Sequence, residues 1–200
     1  MTVVCVGLAT LDTILAVPRH PDADDRVVAT ELVVAGGGPA ATAAVTLARC
    51  REAAWVHVDH VGYGAVPRDV HLSIDGGNPI AGLDLGGIAL YAPTERALRE
   101  AFGTPERALA AGAALVVVTR GARGCAAYTP DGEVVEAPGH TVDPVSTLGA
   151  GDVFHGALLA QLVRNVPLAE ALRTANACAA LSCRALDGRS AIPTAQELVA

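Results

Sequence analysis

Short β-branched apolar runs along this chain alternate with segments whose apolar residues recur every three or four positions. "TVVCVG", "WVHVDHV", "DVHLSID", "GIALYA" and "ALVVVT" carry the first pattern and are predicted as strands. The last is nearly all apolar, as a strand covered on both faces should be. "GPAATAAVTLARC", "TERALREAFG", "PERALAAG", "GDVFHGALLAQLVRN" and "LAEALRTANACAALSCRAL" carry the second pattern and are predicted as helices. Strand and helix in turn predict an α/β fold, a doubly wound and mostly parallel sheet flanked by helices, in a single domain over residues 1–200. The alternation fails between residues 11 and 36, where two or three strand-like pieces surround an acidic turn, "PDADD" at residues 21–25. A small sheet standing off the main layer is expected there, over residues 13–34. "GCAAYTPDGEVVEAPG", residues 124–139, reads as a hairpin turned at Asp131 and Gly132.

Composition narrows the class. A chain of 200 residues that is 52% hydrophobic can bury one sizeable core. Its 14 basic and 21 acidic residues leave a net charge of −7, and no Lys/Arg cluster interleaves with aromatics, so nucleic acid is not an expected partner. The start, "MTVVCVGLATLD", has no basic leader and no apolar run reaches membrane-spanning length. The expectation is a cytoplasmic protein without a membrane partner. The five cysteines are an odd number at no metal-ligand spacing, and Cys178 and Cys183 do not share a helix face, so free thiols are expected.

The candidate chemistry starts at "STLGAGDVFHGALLAQL", where Gly149, Ala150, Gly151 and Asp152 stand ahead of a helical pattern. Small residues let backbone N–H groups face a ligand, and the helix that follows adds its positive end, which together make an anion site. A carboxylate beside such a site can accept the proton of a hydroxyl as that oxygen attacks phosphorus. Ordinary helix capping by Asp152 is the plain alternative. Elsewhere the signals are weaker. "AGGGPAA" follows no first strand with G-x-G-x-x-G, which argues against a dinucleotide site. In "HVDHVG", strand alternation turns His57 and Asp59 one way and His60 the other, so a polar strand end facing a cleft is expected, and no metal site. Ser146 and Ser182 have no evident His partner for a hydrolase triad.

Several separated stretches, in order, resemble the ribokinase/PfkB family of carbohydrate kinases. "TLGAGDVFHGALL" resembles the family's C-terminal signature, "AGGGPAATAAVTLAR" its N-terminal signature, "GLATLD" its first strand, and "VTRGARGCAAY" the strand and hairpin beside the nucleotide. The resemblance implies a ribokinase-like fold with a lid sheet and transfer of the γ-phosphate of ATP, with Mg2+, to a hydroxyl of a ketose-like sugar. It implies Asp152 as catalytic base and Gly149, Ala150 and Gly151 as the anion hole. It places Asp12, Gly36, Gly37 and Gly38 on the sugar, and Thr119, Gly121 and Gly124 on the nucleotide, with Asn176 in the adenine pocket. "GGGPAATAA", "WVHVDHVG" and "TLGAGDVFHG" are most similar to ketohexokinase-like and sulfofructose-kinase-like members.

Three departures from the family pattern bear on function. Ser146 stands where the family usually has an Asp of its monovalent-cation loop, which leaves the use of such a cation open. The magnesium-placing Asn-x-x-Glu element falls near "YAPTERAL", where Thr94 and Ala97 occupy its ends and Glu95 lies beside them. Finally, "TAAVTLAR" runs almost at once into "CREAAWVHVDH", which resembles a strand much further along the family fold, so an internal deletion is expected near residues 49–52. Loss of that segment removes central strands and half of the lid. The alternative to an active kinase is therefore an impaired remnant that binds nucleotide or acts as an interaction protein, and the exposed half-lid suggests a homodimer.

Overall fold

A computed structural model describes residues 4–19, 27–50, 55–65, 71–194 and 196–198. The expected turn at residues 21–25 lies outside the described residues, as do residues 51 and 52 of the junction at 49–52. Seven strands form one sheet in the order β1 (Val4–Val6), β4 (Val56–Val58), β5 (Leu72–Gly76), β6 (Leu90–Pro93), β7 (Val116–Thr119), β8 (Cys125–Tyr128), β9 (Val134–Ala137). The first five are parallel; β8 and β9 add an antiparallel hairpin at one edge. The fold is thus the α/β arrangement expected. β1 pairs directly with β4, Val4 opposite Val56 and Val6 opposite Val58, so the strands before and after the expected junction are sheet neighbours.

Strand alternation sorts side chains into two layers. Leu90, Ala92 and Val117 face α4 (Ala150–Leu162) and α5 (Leu168–Ser182), packing with Phe154, Leu158 and Leu172. Tyr91, Val116 and Val118 face the other way, onto Leu98 of α2 (Glu95–Ala101) and Ala108 of α3 (Pro105–Ala110). Thr94 and Thr104 cap these two short helices by accepting from the N–H groups of Ala97 and Arg107. Residues Val153 to Ala160 of α4 are all buried, because this helix is wedged between the sheet, α5 and α1 (Pro39–Cys50). Each fully buried Leu here contributes roughly 1.5–3 kcal/mol of burial.

A separate antiparallel ribbon pairs β2 (Thr10–Ala16) with β3 (Glu31–Gly37) in unbroken register from Thr10 opposite Gly37 to Ala16 opposite Glu31. It starts three residues before and ends three residues after the expected 13–34, so that Asp12 and the glycines lie within it. One face carries Asp12, Ile14 and Val33, half-buried; the other exposes Leu11, Leu15, Leu32 and Val34, with Leu11 79% and Leu32 61% exposed. Cys5, Cys125, Cys178 and Cys183 are free thiols, as expected. Among the described residues no helix is long and apolar enough to cross a membrane.

Candidate active site

The site is built around the start of α4. Gly149 caps this helix at φ +71, a left-handed conformation that a side chain would strain, and no side chain caps the helix in its place. Ala150 and Gly151 line a cleft of about 630 Å³, and a side chain at Gly151 would meet open space. One correction applies to the expected anion hole. The Ala150 N–H is spent on the Thr147 carbonyl at 3.2 Å, closing the tight turn into the helix. The first-turn N–H groups of Gly151 and Asp152 are the donors that a helix start leaves without intrahelical partners.

Thr119, Gly121, Gly124 and Asn176, expected on the nucleotide side, all line the same cleft. Gly124, at φ +87, passes so close to the end of β9 that a Cβ would overlap the Ala137 carbonyl oxygen. Asn176 is less free than an adenine-reading residue would be: its amide donates to the Ala137 and Pro138 carbonyls at 3.1 and 3.0 Å, tying α5 to β9. Thr119 donates to the Pro93 carbonyl. Three arginines border the cleft with one acid, Glu95. Arg123 pairs with Glu95 at 2.6 Å, and Arg120 pairs with Glu136 and the Tyr128 hydroxyl. The lining is therefore weighted toward binding an anion.

Behind α4 lies a buried charge group that sequence reading missed. Asp75, at the C-terminal end of β5, places its Oδ2 3.3 Å from Nδ1 of His155, one turn beyond Asp152 on α4. Its Oδ1 accepts from the Gly77 N–H at 2.8 Å. Burial alone would push the Asp75 carboxyl up, but the charge and hydrogen bond of His155 hold it well below the usual carboxylate range. The same pairing raises the His155 pKa against its own burial, with Asp152 adding to the effect. Asp152, within hydrogen-bonding reach of Asp75, is pushed up to about 7 by burial first and by the Asp75 carboxylate second, with His155 opposing.

His57 and Asp59 are buried, not at a strand end facing a cleft as expected. The Asp59 carboxylate accepts from the N–H groups of Leu8, Val61 and Gly62 at 2.7, 2.8 and 2.9 Å, which locks the loop after β1 to the one after β4. His57 bonds Ser73 through Nδ1, and burial together with the charge of His155 drives its pKa down to about 4. His57, Asp75 and His155 bring one donor atom each within 4.8 Å of the others, a grouping not foreseen when no metal site was expected. Within this group Asp75 and His155 face each other as an acid–imidazole pair, and His57 turns its Nδ1 to Ser73.

On the acceptor side, Asp12 folds over Gly37 so closely that a Cβ there would overlap its carboxylate, and Gly36 to Gly38 lead directly into α1. The Thr42 methyl lies 3.5 Å from the Cβ position of Gly149, so α1 and α4 begin side by side. Arg189 donates through Nε and Nη2 to the Thr42 hydroxyl at 3.2 and 3.0 Å, joining the loop after α5 to the same corner.

A glycine turn into a helix with a half-buried carboxylate in its first turn, set on a doubly wound sheet with an off-standing ribbon, is the arrangement of a ribokinase-like fold. Its structural neighbours agree: a putative ribokinase from Agrobacterium tumefaciens superposes with TM-score 0.81 at 19% identity, covering 99% of this chain and 96% of that one. Arabidopsis thaliana ribokinase, solved with ribose and ATP, superposes with TM-score 0.75 at 18% identity, covering 99% and 97%. The profile described as "pfkB family carbohydrate kinase" matches residues 85–195, and the chain belongs to that family. Fructokinase-2 of Zea mays is 41% identical over 101 residues, 44% of this chain and 29% of the maize protein. The match thus spans under a third of that relative's length.

Proposed function

We propose that this chain is an ATP-dependent kinase that transfers the γ-phosphoryl group to a hydroxyl of a ketose-like sugar or sugar derivative. The observation that carries the reading is Asp152: a carboxyl pushed up to about 7 in the first turn of a helix whose free N–H groups border an arginine-lined cleft. A base of that pKa is matched to taking a hydroxyl proton near neutral pH. The acceptor hydroxyl loses its proton to the Asp152 carboxylate as its oxygen bonds to Pγ, and the bond from Pγ to the bridging oxygen breaks, releasing ADP. The N–H groups at the start of α4 stabilise charge on the phosphoryl oxygens in transit. The ribokinase neighbour bound to ribose and ATP and the fructokinase relative support the substrate classes.

Mg2+ would enter with the triphosphate and neutralise its charge. The residues at the family's usual magnesium element do not supply a ligand, since Thr94 is a helix cap and Ala97 is buried. Glu95, the acid of the cleft lining, is the side chain of this region able to reach such an ion, on release from Arg123. Ser146 uses its hydroxyl to accept from the Leu148 N–H. A homodimer formed through the exposed apolar face of the β2–β3 ribbon belongs to the same reading.

Asp152→Asn keeps the shape and removes the proton acceptor. Sugar-dependent ADP release should fall by roughly 10²–10⁴-fold, while ATP affinity measured by calorimetry changes little. Turnover unaffected by the substitution refutes Asp152 as base. ATP binding without turnover of any sugar by the parent chain favours the impaired remnant.

A further inference from the structure

We infer that Asp75 and His155 are positioning residues, a buried ion pair that reserves Asp152, and not Asp75, as the group that takes the acceptor's proton. The inference rests on the kinase reading above and concerns how its base is kept usable. Two carboxylates and one imidazolium meet behind α4, so only one carboxylate is charge-compensated. Geometry decides which. Asp75 holds both available partners: its Oδ1 accepts the Gly77 N–H at 2.8 Å and its Oδ2 faces His155 Nδ1 at 3.3 Å. His155 Nδ1 is buried and makes no hydrogen bond of good geometry, so the 3.3 Å approach of Asp75 is the polar contact that faces it. Asp152 sits three residues before His155 on α4, hence on the same helix face, and within reach of Asp75. Left uncompensated, it is the carboxylate that gains most from a proton, and the cleft borders its own helix turn.

The other groups around it do not change that assignment. From β4 come His57, held neutral by burial, and Asp59, whose oxygens are spent on three backbone N–H groups. From β6 comes Tyr91, its hydroxyl pushed up to about 12 by burial and by Asp75. The described side chains of α1 bring no titratable group. After burial, Asp75 is the largest influence raising the proton affinity of Asp152 and His155 the one lowering it, with Asp59 adding a smaller raising contribution.

This opposition supplies the test. Asp75→Asn removes the repelling charge, whereas His155→Asn keeps a donor facing Asp75 and removes the positive charge. In kcat against pH for the full chain, the acid limb should lie near 7 in the parent. It should move to lower pH by about one unit or more in Asp75→Asn, and to higher pH in His155→Asn. KM for ATP should stay within about twofold. A purely structural role predicts lower activity with no such opposite displacement; limbs that do not move, or move the same way, overturn the inference. A second measurement needs no turnover: carboxyl 13C NMR of aspartate-labelled protein follows Asp152 directly, and ring 15N shifts report the charge on His155. Should no sugar be phosphorylated, the kinase reading fails while this titration still decides the pair. An Asp152 that titrates in the ordinary carboxylate range, and is indifferent to Asp75→Asn, overturns the inference.

Discussion

Replacing Asp152 by Asn should make the protein more stable, and the gain should depend on pH in a predictable way. Asp152 titrates near 7 in the folded chain against an ordinary 3.8, a rise of about three pH units. A carboxyl whose folded pKa is raised binds its proton more tightly folded than unfolded, so stability is greatest at low pH and declines as pH climbs from about 4 to 7. At about 1.36 kcal/mol per unit, the ceiling on that loss is about 4 kcal/mol. Asp152 is only half-buried beside an open cleft, and solvent screening reduces the figure to about 2 kcal/mol. Asn at this position resembles the protonated acid and escapes the loss altogether. For a chain of this length 1 kcal/mol corresponds to about 2–4 °C, so Asp152→Asn should melt about 4–8 °C higher at pH 8. The difference should shrink toward zero as pH falls below about 4. Circular dichroism melts of both proteins from about pH 3 to 8.5 measure it. A variant no more stable than the parent at pH 8, or a difference that does not change with pH, would refute the assignment of a raised pKa to Asp152.

Three further outcomes follow from local geometry. Gly124→Ala forces a Cβ onto the Ala137 carbonyl oxygen at a left-handed φ, and should weaken ATP binding at least about tenfold by displacing the hairpin, as calorimetry would show. Asp59→Ala strands three N–H donors and should cost about 3–6 kcal/mol in urea denaturation, with Asp59→Asn, which keeps one carbonyl acceptor, intermediate. Paired Leu11→Lys and Leu32→Lys substitutions on the open ribbon face should convert a self-associating chain to monomer in sedimentation, and an unchanged distribution would remove that face from the assembly.

Much of the framework was legible because its signals are local. The 3.6-residue pattern of "GDVFHGALLAQL" marks α4, and only small residues permit the Gly149 turn that precedes it. The all-apolar "ALVVVT" marks β7 as a strand buried on both sides. Motif resemblance added the expected division of labour, with Asp152 at the helix start and Gly121 and Gly124 across the cleft. His155 was visible in the same motif as a polar residue on an otherwise apolar helix, and Asp75 as an acid ending a buried strand. Neither could be assigned from spacing, because 77 positions separate Asp152 from Asp75 and no local rule joins them.

The sequence by itself determined which segments are strands and helices, where the chain turns, and that a helix start of small residues carries a carboxylate. These properties depend on backbone sterics and on periodicity within a few residues. Only the tertiary structure decided that β1 pairs directly with β4, that the Ala150 N–H is lost to a turn, and that Asp75 and His155 form a buried pair beside the half-buried Asp152. Charges act through space and burial, not along the chain, so the proton affinity of Asp152 came into being when β5 and α4 packed together.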